Sequence, residues 1–92
     1  MLNQDGYMFE RKFLDVVEEL REKKKKSKKD LAENVFPFEK DPNKKYHTIL
    51  KGDSKAKPQR LKLGEAYEIA KYLQTPFDTI NQEAIRRLTF ES

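Results

Sequence analysis

Apolar residues along this chain recur at three- and four-residue steps, the spacing that gathers side chains on one face of a helix. Phe9, Phe13, Val16, Val17 and Leu20, widened by Leu14, predict a first helix from about Tyr7 to Lys25. Asp15, Glu18, Glu19 and Glu22 fall off that stripe. Ser27 and Asp30 follow in S-x-x-D spacing: a hydroxyl that caps the first turn and an acid at its positive pole. They open a second helix whose apolar face is Leu31, Ala32 and Val35, and Pro37 stops it by Val35 or Phe36. Almost nothing separates these two helices, so a sharp corner is expected.

Residues 36–41, FPFEKD, form a connection. Asp41 before Pro42 reads as a cap followed by a proline at the first helical position. The third helix then runs from Pro42 to about Lys51, with Tyr46, Ile49 and Leu50 inward and Gly52 as its terminator. Residues 52–61, GDSKAKPQRL, are a polar, basic loop. Leu63, Ala66, Tyr67, Ile69, Ala70 and Leu73 give a fourth helix over about Lys62 to Leu73. Thr75, Pro76 and Asp78 repeat the cap, proline and acid grammar. A fifth helix from Pro76 to about Leu88 carries Phe77, Ile80, Ala84, Ile85 and Leu88. No segment alternates apolar and polar residues between hairpin turns, so the expected class is all-α. Tyr46 and the aromatics Phe13, Phe36, Phe38, Tyr67, Tyr72 and Phe77 are assigned to the core rather than to stacking platforms.

Composition narrows the function classes. Ninety-two residues leave room for one core. Apolar residues are 36% and charged residues 39%, and no run approaches the roughly 18 apolar residues of a membrane span. The start, MLNQDGYMFE, lacks the pattern of a secretory signal. With no cysteine and a single histidine, His47, no catalytic site, no metal site and no cofactor are expected. A cytoplasmic binding module is therefore favoured over an enzyme.

The charge is unevenly spread. The net charge is +4, yet residues 21–30 alone carry +5 and residues 40–62 carry +6, which leaves −7 for the rest. If the fold brings the two basic segments together, they form a positive face that attracts polyanions.

Three fragments, in order, resemble the lambda-repressor/Cro-type (XRE-like) helix-turn-helix family. SKKDLAENVF is similar to its second helix, a Ser or Thr cap followed by a polar turn and Leu-Ala-Glu. YHTILKG is similar to the end of its recognition helix, with Tyr46, Ile49 and Gly52 in the matching places. LGEAYEIAKYLQTPFDTI is similar to its fourth helix and the start of its fifth. The similarity spans roughly residues 9–80, with residues 76–92 as the C-terminal helix and tail. Two departures stand out: the turn after the second helix is longer and holds Phe36-Pro37-Phe38 in place of a glycine, and the loop after Gly52 is also longer.

The resemblance implies a five-helix lambda-repressor-like domain that regulates transcription by binding specific double-stranded DNA in a bacterium or phage, near the nucleoid. It implies that residues 42–51 enter the major groove while the preceding helix crosses the backbone. The side of that helix away from Tyr46, Ile49 and Leu50 then offers Asn43, Lys44, Lys45, His47 and Thr48 to base edges. Ser27, Lys28, Lys29, Lys51, Lys55, Lys57 and Arg60 are the expected phosphate contacts. The family's two-fold dimers imply a homodimer surface on the fifth helix and tail, through Ile85, Leu88 and Phe90. The alternatives are a protein-interaction module of the same fold, such as an antitoxin or accessory protein, and a non-specific nucleic-acid binder.

Overall fold

In the computed structural model the described residues, 4–52 and 60–91, form five helices and no strand. They are α1 (Gln4–Lys23), α2 (Lys28–Val35), α3 (Pro42–Lys51), α4 (Leu63–Tyr72) and α5 (Phe77–Glu91). The Cα radius of gyration is 12.9 Å, near the ~12 Å of a compact chain of this length. α1 begins ahead of its apolar stripe, and α5 continues past Leu88 to Glu91.

The periodic residues of α1, Phe13, Leu14, Val16 and Val17, form one wall of the core. α5 packs along this helix through Ile80 and Ala84, while α2 packs on α3 and α4. Leu31, Ala32, Tyr46, Ile49, Ile69 and Leu73 fill the space between. Three expected core residues lie elsewhere. On α4, Leu63 is 77% exposed and Tyr67 55% exposed. Ala66, Ile69, Ala70 and Leu73 define that helix's buried line, and a 100° turn per residue carries positions 63 and 67 onto its flank. Tyr67 instead meets Phe77 edge-on, ring centroids 6.3 Å apart. Phe38 stands wholly in solvent.

Two tight corners set the path of the chain. After α1, Lys25 takes φ +58° while Lys26 N–H donates to Arg21 C=O and Lys25 N–H to Glu22 C=O, each at 3.0 Å. After α4, Gln74 takes φ +54° while Thr75 N–H donates to Ala70 C=O and Gln74 N–H to Lys71 C=O, each at 3.1 Å. Both are Schellman closures, which satisfy helix-end carbonyls through one left-handed residue. Neither uses the glycine that avoids the steric cost of that conformation. Across the α1–α5 contact, Arg87 places both terminal nitrogens on the Glu19 carboxylate at 2.6 Å. Among the described residues no helix is long and apolar enough to cross a membrane. None of them form a group of three or more His, Asp and Glu able to hold a metal ion.

Candidate nucleic-acid interface

α3 is short but closed at both ends. Asp41 Oδ1 accepts the Lys44 N–H at 3.1 Å, and Pro42 stands in the first turn, where no N–H is needed. At the other end Gly52 turns the chain with φ +85°, its N–H donating to Thr48 and Ile49 carbonyls at 3.1 Å. Arg11 reaches across from α1: Nη1 donates to Ile49 C=O at 3.2 Å and Nη2 to Leu50 C=O at 2.5 Å. A guanidinium thus sits on the negative pole of α3. A side chain at Gly52 would run into that guanidinium and the Tyr7 hydroxyl.

The middle of α3 is tied down by a buried network. Tyr46, with no exposed surface, donates its hydroxyl to Glu18 Oε2 at 2.6 Å. Glu18 also accepts from Arg21 Nε at 3.0 Å and Nη2 at 2.9 Å, and Arg21 Nη1 donates to Lys26 C=O at 2.6 Å. One cluster therefore joins α1, the α1–α2 corner and α3. Burial first, then the bond to Glu18, pushes the Tyr46 hydroxyl far above its ordinary pKa. Burial raises the Glu18 carboxyl, but the bonds from Arg21 and Tyr46 and the charges of Arg21 and Lys28 outweigh it and hold the group below its usual range.

These two ties orient α3. Its carboxyl end meets Arg11 and its middle meets Glu18, further along α1. The amino-terminal half of α3 consequently lies toward the α1–α2 corner, where Lys28 stands 4.0 Å from the same Glu18.

Away from Tyr46 on α3, Lys44, His47 and Lys51 are exposed, and Asn43 is exposed on the flank. Their side chains make no hydrogen bond or ion pair among the described residues. Thr48 is half-buried, and its hydroxyl donates back to Lys44 C=O at 2.8 Å. Lys45, expected to face outward, is instead half-buried. Its ammonium lies 3.9 Å from Glu39 and 3.8 Å from Glu65, and 6.0 Å from the Phe36 ring centroid. Leu50, expected inward, is only partly buried against the core. A shallow hollow of about 350 Å³ beside the first turn is lined by Glu39, Lys40, Asp41, Lys44, Lys45 and Thr48.

At the start of α2 the Ser27 hydroxyl accepts the Asp30 N–H at 2.9 Å, so it acts as the helix cap. Lys28 and Lys29 are half-buried and exposed respectively, with Lys29 3.9 Å from Glu33. Arg60 turns back toward α1: Nε donates to Glu10 Oε1 at 3.1 Å, and the guanidinium lies 5.1 Å from the Tyr7 ring centroid. Lys55 and Lys57 lie outside the described residues. Within the first basic run, Arg21 is buried and Lys26 sits 5.3 Å from the Tyr72 ring centroid. The Tyr72 hydroxyl donates to Asp30, and burial together with that bond pushes it up to about 12. On α5, Ile85 is 52% and Phe90 77% exposed, while Leu88 is half-buried.

Sequence periodicity alone did not single out Arg11, Glu18 or Arg21. A signal existed for Arg21: it extends the buried line Phe13, Leu14, Val17 by one turn, so a charged residue on a buried stripe marked an internal partner. Arg11 carried no local signal, because its bonds span 38 and 39 positions. No family model, curated protein or solved structure matches this chain.

Proposed function

We propose that the protein is a sequence-specific DNA-binding regulator, with α2 and α3 acting as a helix-turn-helix and α3 as its recognition helix. The observation that carries this reading is the asymmetry of α3. One side is fixed to α1 through Tyr46 and Arg11; Lys44, His47 and Lys51 are exposed away from Tyr46 and Asn43 is exposed on the flank, with no side-chain partner among the described residues. From Pro42 to Lys51 the helix carries no acidic residue. In the major groove, Asn43 suits adenine, Lys44 suits guanine O6 and N7, and His47 and Thr48 lie one turn further on. Lys28 and Lys29 at the start of α2, and Lys51, supply phosphate contacts that set register. The exposed Ile85 and Phe90 favour a second copy docking on α5, which would set two recognition helices on two half-sites.

Selection from a random duplex pool at two salt concentrations tests the proposal. A consensus with dyad symmetry supports it. Retention without a consensus supports a non-specific polyanion binder, and no retention supports a protein-interaction module.

A further inference from the structure

One side chain in the α2–α3 connection stands clear of the core. Phe36 is buried, its ring centroid 6.4 Å from that of Tyr46. Phe38, two residues on, is 101% exposed. The backbone there is anchored on both sides: Phe36 C=O accepts the Glu39 N–H at 3.2 Å, and Asp41 caps α3. Pro37 adds a fixed φ. The ring is thus held in water by an ordered turn, and burying it against an apolar group would be favourable.

The surroundings say what kind of surface could cover it. Both nearby acids are engaged, Glu39 beside Lys45 at 3.9 Å and Asp41 on the Lys44 amide. The ammonium groups of Lys40 and Lys44 have no partner among the described residues. An exposed ring two residues before Lys40, in the connection that leads into Lys44, suits a polyanion that also displays apolar groups. Duplex DNA has both, phosphates along its backbone and the thymine C5-methyl in its major groove.

We infer that Phe38 packs on a thymine methyl at the edge of the major groove, beside the bases met by the first turn of α3. This rests on the DNA-binding reading and adds a specificity-determining residue that lies outside α3.

The test pairs Phe38→Ala with thymine-to-uracil replacement, one position at a time, in a duplex recovered by the selection above. Uracil removes only the methyl group. Affinities are read by fluorescence anisotropy, and melting curves check that the variant folds as the wild type does. At one position uracil should weaken wild-type binding about fourfold, the factor for one buried methyl. Phe38→Ala should weaken binding to the thymine duplex by at least that factor and show no further loss with uracil. An equal uracil effect in both proteins at every position overturns the contact, as does full affinity in Phe38→Ala. Conversion of a dimer to a monomer by Phe38→Ala, seen by sedimentation, assigns the ring to a protein interface and overturns it too. Wild-type protein that binds no duplex removes the DNA reading itself, a failure separable from the others because no affinity remains to compare.

Discussion

The two sides of α3 obey different rules. On the inner side Tyr46 and Ile49 have almost no exposed surface, and the polar groups there are matched, Tyr46 to Glu18 and the last carbonyls to Arg11. On the outer side and its flank, the exposed side chains of Asn43, Lys44, His47 and Lys51 make no hydrogen bond or ion pair among the described residues. A ten-residue helix is too short to hold its shape alone in water. Its position is therefore owed to the inner side, which leaves the outer side free to be suited to a partner. The first basic run teaches the same lesson in reverse. Its charge looks comparable in the sequence, yet Arg21 is spent on the Glu18 cluster and Lys26 on Tyr72.

The sharpest way to break this comparison is from the inside. Tyr46→Ala should destabilise the domain by about 3–5 kcal/mol, since it empties a core site and removes one hydrogen bond to Glu18, which keeps its bonds from Arg21. A urea melt like that of the wild type would show that α3 is not anchored there. On the outer side Asn43→Ala should leave the melt unchanged and relax preference at one base pair, a loss of ~1–3 kcal/mol in discrimination. A shifted melt would place Asn43 in the fold instead.

Acid gives a subtler probe of the inner side. The folded state holds Glu18 below its ordinary 4.5, so the unfolded chain binds that proton more readily. Its stabilisation is complete above about pH 4.5 and is lost as pH falls through the lower folded value. Glu18→Gln should flatten the acid limb of a stability-against-pH curve. Part of that limb should remain, because Glu83, bonded to Arg86 and Arg87, is held at about 2. At high pH the sign reverses. Tyr46 must keep its proton to serve Glu18, so stability should decline above about pH 10, and Tyr46→Phe should lessen that decline, leaving the part due to Tyr72, which is pushed up to about 12.

Smaller effects sharpen the outer side. Lys51→Ala should weaken all duplexes alike and lower the slope of log affinity against log salt by about 1. A change in sequence preference would move Lys51 from phosphate to base. Gln74→Gly, in the corner after α4, should raise stability by about 0.5–1 kcal/mol by relieving a left-handed residue, with DNA binding unchanged. A drop in its melting temperature would contradict the Schellman reading of that corner.

Much of the architecture was legible locally. Ser27 and Asp41 cap where their spacing said they would, Pro42 opens α3, and Gly52 ends it. Local grammar suffices because a cap is decided within one turn. The failures involve contacts across the chain. Lys45 looked outward by its angle on α3, but Glu65 from the start of α4 draws it in. Tyr67 looked buried because an aromatic on a helix usually is, yet four smaller residues already fill the facing line of α4. Glu18 looked like solvated charge until Tyr46, 28 residues away, arrived with a hydroxyl.

The most direct measurement is an amide chemical-shift titration of the labelled protein with a selected duplex. The largest changes should fall on Lys28, Lys29, Asn43, Lys44 and His47, with Phe38 beside them. Changes greatest on α4 or along Ile85 and Phe90, with the outer side of α3 silent, would contradict the account.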